Sequence, residues 1–310
     1  MYKYRIILFY VQAAKAAHAS APKKHALSIP EQIRLLYRSA CQRNPDFRLV
    51  ILSSAETDLN GLDFDYDRLN FEIDTRALMR ERNRVQTQYV EAHADEKIPF
   101  IFLDTDILLN IDPLRLFQES YDIALTWRAN DEMPINGGVV LVGNRNPEAS
   151  KAFYRSLYEN QLKDPLELAR WFGEQRSMAK IIGLAPGQLE RTQGMTKDGV
   201  IYRFFPCETH NYTPRYLGVF DRKKILSPAL FHFKGSTARF MREFWVYHLD
   251  DNANRISCRL LRLMGLRIKL RLQRIVEKAT RKASSFVSGN RALGAFALMP
   301  RLCGITASVR

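Results

Sequence analysis

The stretch Phe100-Ile101-Phe102-Leu103-Asp104-Thr105-Asp106-Ile107-Leu108-Leu109-Asn110 decides how this chain is read. Its apolar residues, rich in β-formers and introduced by Pro99, suit a central strand of a sheet covered on both faces, where no side of the strand meets water. The run reads as a buried strand that ends abruptly on two carboxylates. In open α/β sheets the ligand crevice lies outside the carboxyl ends of the strands, so Asp104 and Asp106 fall where a ligand would sit. Two hard oxygen donors one residue apart suit Mg2+ or Mn2+, and those ions suit a diphosphate.

Toward the N-terminus, Tyr4 to Val11 reads as a first strand. Ser28 caps a helix with Pro30 in its first turn, and Ile33, Leu36, Tyr37 and Ala40 share one face. Asn44-Pro45-Asp46 ends that helix, and Phe47 to Leu52 is a second strand, completing a β-α-β unit. Residues 53 to 68 read as a polar loop holding a second Asp-x-Asp, Asp63-Phe64-Asp65-Tyr66-Asp67. No apolar run leads directly into those acids, so they are expected in solvent rather than on a metal. Thr75 caps a helix to about Ala94, with Arg76, Arg80, Arg82 and Arg84 near its start. Arg80 and Arg84 share a helical face and are the candidates for a phosphate contact.

Toward the C-terminus, Tyr121 to Thr126 gives another strand, and Pro134-Ile135-Asn136-Gly137-Gly138 reads as a turn feeding the strand Val139 to Val142. The glycines permit positive φ or close approach of a ligand, and Asn136 brings an amide with donors and acceptors. Asn146-Pro147 begins a helix with Phe153 and Leu157 inward. Asp164-Pro165 begins another, Leu166 to Ile182, which carries Trp171, Phe172, Glu174 and Gln175. Adjacent helical positions point about 100° apart, so Glu174 and Gln175 face different neighbours. Gly199 to Pro206 and Pro228 to Phe233 read as strands. Beyond the second, His232 and Lys234 share a face of the extended segment. An imidazole there can complete a divalent metal site, and an ammonium can neutralise a phosphate.

With 310 residues, 46% of them hydrophobic and 26% charged, the chain has the makeup of a soluble globular protein with room for one large α/β domain and an appendage. No run reaches the about 18 apolar residues that would span a bilayer. The net charge is +14, and the segment from Asn252 to Arg310 carries 13 Lys or Arg against the single acid Glu277. The body is therefore nearly neutral and the tail basic, which points to an anionic partner. We place the boundary at Asp250-Asp251-Asn252, giving a domain over 1–249 and a mainly helical basic extension over 250–310. In the extension, Arg267, Arg271, Arg274 and Lys278 form a stripe beside Ile268, Leu272, Ile275 and Ala279, a pattern suited to an anionic membrane surface. Cys41, Cys207, Cys258 and Cys303 show no zinc spacing. The apolar run Ile6 to Val11 is too short for a signal h-region, so the expectation is a cytoplasmic protein, peripheral on the inner face of the membrane.

Taken in order, an apolar strand ending in Asp104-Thr105-Asp106, then Asn136-Gly137-Gly138, Glu174-Gln175 and His232-Phe233-Lys234-Gly235, resembles the GT-A glycosyltransferases, the nucleotide-diphospho-sugar transferase superfamily, and most of all its family-8-like members. The resemblance covers roughly Tyr4 to Trp245. It implies a Rossmann-like α/β/α sandwich and a metal-dependent transfer of a sugar, from a UDP-sugar as the expected donor, to a glycan or lipid-linked acceptor in surface polysaccharide or lipopolysaccharide synthesis. By position it implies Asp106, with Asp104 and His232, on Mn2+ or Mg2+; Asp104 also on the ribose; Lys234 and Gly235 beside the diphosphate; and Asn136, Gly137 and Gly138 at the donor sugar. Glu174-Gln175 is similar to an Asp-Gln pair under the reacting sugar, with Glu one methylene longer. The Lys-Pro-Trp that often follows the histidine in that family is here Arg239 to Trp245.

Two rival readings use part of the same evidence. A haloacid-dehalogenase-like phosphotransferase also has a strand followed by Asp-x-Asp, but it usually places Thr or Val two residues on, where this chain has Leu108, and near the start of the domain. A non-catalytic protein that binds anionic lipid or nucleic acid would rest on the tail alone and leaves Asp104, Asp106, His232 and Lys234 without a role. Nucleic acid is accordingly not expected as a partner.

Overall fold

The computed structural model describes residues 2–12, 27–130, 132–143, 145–163, 173–184, 186–189, 192–214 and 227–250. The chain divides into two units, Met1–Asp251 and Asn252–Arg310. The second, with the basic stripe read in it, lies outside the described residues, as do the helix start at Asp164-Pro165 and the pair Trp171-Phe172.

Among the described residues of the first unit ten strands follow one another: β1 (Tyr4–Phe9), β2 (Phe47–Ser53), β3 (Asp67–Asn70), β4 (Phe100–Leu103), β5 (Ile107–Leu109), β6 (Ile123–Trp127), β7 (Ile135–Val142), β8 (Gly194–Lys197), β9 (Val200–Pro206) and β10 (Leu230–His232). Eight of them form one sheet in the order β3-β2-β1-β4-β7-β6-β9-β8, and β5 pairs with β10 in a separate ribbon. Strands β1 to β4 run parallel, β7 runs against both β4 and β6, and β6 is parallel to β9. The chain moves outward from β1 to β3 and then returns to place β4 on the other side of β1. That reversal is the topological switch point at which doubly wound sheets open a ligand crevice.

Successive strand residues point to opposite faces, and here both faces are covered. Ile7, Val50, Phe100, Phe102 and Val140 pack with Val85, Tyr89, Phe153 and Met178 from helices α2 (Leu78–His93), α3 (Pro147–Lys163) and α4 (Gly173–Ile182). Ile6, Leu8, Ile51, Ile101 and Leu141 pack on the other side with Ile33, Leu36 and Ala40 of helix α1 (Ile29–Arg43). The result is the α/β/α sandwich that the resemblance implied, with the cover on both faces that the apolar runs called for. Each fully buried Phe or Leu of these layers contributes about 1.5–3 kcal/mol relative to exposure.

The structure redraws several sequence boundaries. Residues 100–110 are two strands, and the acids sit in the bend between them rather than at the end of one. Leaving the main sheet, the chain hands Asp104 N to Gly138 O at 3.0 Å, and Asp106 O accepts from Phe233 N at 2.8 Å. Ile107, Leu108 and Leu109 are as buried as β4, because β5 leans on β10 and α1. Asn136-Gly137-Gly138 lies inside β7 instead of in a turn before it. The end of the segment read as loop, Asp67 and Arg68, belongs with Leu69 and Asn70 to an edge strand on β2. The helix after Ile73 opens with a short turn, Thr75–Ala77, whose cap is Asp74 rather than Thr75.

Candidate functional site

Asp104 and Asp106 bracket the bend between β4 and β5, and β10 returns antiparallel to β5 with His232 opposite Ile107. This register, set by the apolar pairs Leu230/Leu109 and Phe231/Leu108, delivers the imidazole to the carboxylates. His232 Nε2 lies 3.0 Å from Asp106 Oδ1 and 3.3 Å from Asp104 Oδ2. One ligand atom from each of the three residues falls within 4.8 Å of the others. A Cβ placed on Gly138 would come 2.3 Å from His232 Cε1 and 2.7 Å from Asp104 Oδ2, so only glycine lets β7 pass this close. Two carboxylate oxygens and an imidazole nitrogen around such a hollow fit a divalent cation of the Mg2+ or Mn2+ type.

The second arm of the site comes from α2 and α4. Arg82 Nη1 donates to Asp104 Oδ1 at 2.9 Å, its Nη2 donates to Gly137 O at 3.0 Å, and its Nε stands 3.7 Å from Glu174 Oε2. Burial opposes the Arg82 charge, but Glu174 and Asp104 outweigh it and raise its pKa. Burial likewise pushes Asp104 up, and Arg82 and His232 more than reverse this, holding the carboxyl well below the usual range. Glu174 is driven upward by burial and by Asp104, with Arg82 opposing. Its Oε1 has no hydrogen-bond partner among the described residues and faces Gly137, where a Cβ would sit 3.5 Å away. For His232, burial lowers the pKa, and the charge of Asp106 with hydrogen bonds to both acids carries it above its ordinary value.

Arg80 and Arg84 do not reach this place. Arg80 pairs with Asp74 and Glu81, and Arg84 with Glu81, Gln88 and the carbonyl of Glu72. They share the outer face of α2, whereas Arg82, Val85 and Tyr89 follow one i, i+3, i+7 stripe toward the sheet. That phase was present in the sequence and separates Arg82 from its neighbours.

Glu174 and Gln175 diverge as adjacent helical residues must. Gln175 Oε1 accepts from Arg128 Nη2 at 3.1 Å, and Arg128, at the end of β6, is a residue that no motif announced. Asn136 turns inward: its Oδ1 accepts from Gly138 N at 3.2 Å and its Nδ2 reaches Cys207 Sγ at 3.7 Å. Lys234 follows His232 along the same segment. Burial and the charge of Arg128 set its ammonium below the ordinary pKa, against an opposing pull from Cys207 and the two acids. Gly235 then takes φ 56°, a left-handed turn that leads into the short helix Gly235–Phe240. The second Asp-x-Asp meets arginines instead: Asp65 and Asp67 with Arg48, and Asp63 with Arg34.

No family model matches the chain, and no curated protein matches it. Among solved structures it is similar to the glycosyltransferase GlyE of Streptococcus pneumoniae, at 14% identity and a TM-score of 0.49, over 87% of this chain and 64% of that one. It is also similar to the galactosyltransferase LgtC in complex with donor and acceptor sugar analogues, at 14% identity and 0.45, over 77% and 93%. Mouse xyloside xylosyltransferase 1 is similar at 13% identity and 0.46, over 76% and 98%. Likenesses at this level carry no functional argument, which rests instead on the residues of the site.

Proposed function

We propose that the chain is a metal-dependent glycosyltransferase that moves a sugar from a nucleotide-diphosphate sugar, a UDP-sugar in the first instance, to a glycan or lipid-linked acceptor. The observation that carries this reading is the Asp104, Asp106 and His232 cluster at the switch-point rim, with Arg82 and Glu174 beside it and Lys234 two residues past the histidine. Asp106, Asp104 and His232 would hold a divalent cation, which would supply electrostatic stabilisation to a diphosphate leaving group. Lys234, whose side chain makes no ion pair among the described residues, adds a positive charge for the same oxygens. Arg82 fixes Asp104 and Glu174 relative to each other. Glu174 Oε1, a buried oxygen without a hydrogen-bond partner among the described residues, is the group we assign to steady the anomeric carbon as positive charge develops there, as in other glycosyl transfers.

The phosphotransferase reading needs Asp104 free as a nucleophile. Its Oδ1 is occupied by Arg82 and its Oδ2 lies against His232.

The test is a panel of sugar nucleotides scored for release of free nucleoside diphosphate. We expect turnover of one donor that needs Mn2+ or Mg2+; a parent enzyme indifferent to chelation would remove the metal assignment. For the basic extension we propose attachment to anionic membrane at the cytoplasmic face, supported by its sequence stripe. No helix among the described residues is long and apolar enough to cross a membrane. Truncation after Asp251 should end sedimentation with anionic liposomes and leave donor hydrolysis intact, and unchanged sedimentation would sink this attachment.

A further inference from the structure

The hydrogen bonds behind His232 fix more than its position. His232 Nδ1 lies 2.8 Å from Asn211 Oδ1, Asn211 Nδ2 donates to Thr126 Oγ1 at 2.9 Å, and Thr126 Oγ1 donates to Asn136 O at 3.0 Å. All four residues are buried, so none of these groups can exchange its partner for bulk water. A hydroxyl carries one proton. The Asn136 carbonyl takes that of Thr126, and the Thr126 oxygen can then only accept from Asn211. This turns the Asn211 amide nitrogen toward Thr126 and its oxygen toward the imidazole. An amide oxygen only accepts, so Nδ1 of His232 carries a proton, and Nε2 is left as the ring atom that faces Asp104 and Asp106.

The backbone holds this arrangement together. Asn211 N donates to Cys207 O at 3.1 Å, Tyr212 N donates to Leu230 O at 3.0 Å, and His232 N donates to Tyr212 O at 2.8 Å. The segment that carries Asn211 is thereby laced to β10, and the amide and the imidazole keep one geometry. Partners of this kind on the far nitrogen of a metal-binding histidine set its tautomer and raise its basicity.

We propose that Asn211, oriented by Thr126, is a positioning residue that selects the Nδ1–H tautomer of His232 and so makes Nε2 the metal-binding nitrogen. The proposal rests on the metal-dependent reading above and adds to it a residue that touches neither metal nor donor. The experiment is titration calorimetry of the full chain with Mn2+ alone, for the parent, Asn211→Leu, Asn211→Asp and Thr126→Val. It is joined by 15N spectra of the His232 ring in the Mg2+-loaded protein, with circular dichroism as the folding control. Asn211→Leu removes the acceptor at similar volume and should weaken Mn2+ binding about 10–100-fold. Asn211→Asp keeps an acceptor on Nδ1 and should restore affinity to within about threefold of the parent. Thr126→Val frees the amide to turn over, and the ring spectrum should then show both tautomers where the parent shows Nδ1–H alone.

Equal Mn2+ affinity in the parent and Asn211→Leu overturns the proposal, and so does a parent ring protonated at Nε2. If Asn211→Leu does not fold, the parent and Thr126→Val spectra decide between the same two answers. A parent that binds no Mn2+ removes the metal-dependent reading itself, whereas a parent that binds it as tightly as Asn211→Leu does removes only the role of Asn211.

Discussion

Asp104-Thr105-Asp106 and Asp63-Phe64-Asp65-Tyr66-Asp67 present the same acids at the same spacing, and the fold treats them in opposite ways. The second set lies on the rim of an edge strand, where Arg48 reaches from β2 to Asp65 and Asp67 and Arg34 reaches from α1 to Asp63. Asp63 and Asp65 there are largely exposed, Asp65 to 83%, and Asp67 is half-buried. In the first set Arg82 takes one oxygen of Asp104, and Asp106 meets no arginine or lysine within ion-pair range among the described residues. Their remaining oxygens converge on a single imidazole. An acid pair becomes a cation site when its surroundings neutralise it incompletely and hold it still; neutralised and exposed, it is a solvated edge.

The strongest way to break this contrast is to delete one acid from each set. Asp106→Ala should lower Mn2+-dependent release of nucleoside diphosphate by about a thousandfold, about 4 kcal/mol of transition-state stabilisation, while Asp65→Ala stays within about twofold. Equal losses in the two variants would dissolve the distinction. Next in size is Gly138→Ala, which pushes a methyl into His232 and Asp104. It should cost about 1–3 kcal/mol of stability in a denaturant melt and weaken Mn2+ binding. A variant as stable and as tight as the parent would mean that β7 does not shape the hollow.

Arginines sharpen the same comparison. Replacing Arg82 with Gln should reduce kcat/KM about tenfold, or about 1.4 kcal/mol, whereas Arg80→Ala and Arg84→Ala should leave it within about twofold. Sensitivity at Arg80 or Arg84 and silence at Arg82 would reverse the assignment. The smallest effect belongs to the decoy. Hydrogen bonds from Arg48 hold Asp67 below the usual carboxylate range, against a smaller opposing push from burial. Because its folded pKa is depressed, the pair stabilises the protein above the unfolded carboxylate value of about 3.9 and loses that contribution as pH falls through the folded one. Asp67→Asn should therefore cost only about 0.2–1 kcal/mol at pH 7, and progressively less below about pH 4. A constant difference across that range would place its origin elsewhere.

What the sequence by itself determined is the architecture and the identity of the acids. Unbroken apolar runs such as Phe100 to Leu103 and Val139 to Val142 demand cover on both faces, and helical stripes such as Ile33, Leu36 and Ala40 provide it, because burial acts through periodicity that any single chain displays. The helical phase of Arg82 was equally legible, though it had to be counted against Val85 and Tyr89 instead of against the other arginines. Tertiary structure alone decided what meets Asp104 and Asp106, since the sequence had already placed the other Asp-x-Asp in solvent. The answer depends on partners 128 residues apart along the chain, His232 for Asp104, and on the antiparallel register of β10 with β5 that brings them together. Asn211, Thr126 and Arg128 belong to no motif at all. Hydrogen bonds are directional and short-ranged, so their pairing is fixed by where the backbone passes in space, and no spacing along the sequence encodes it.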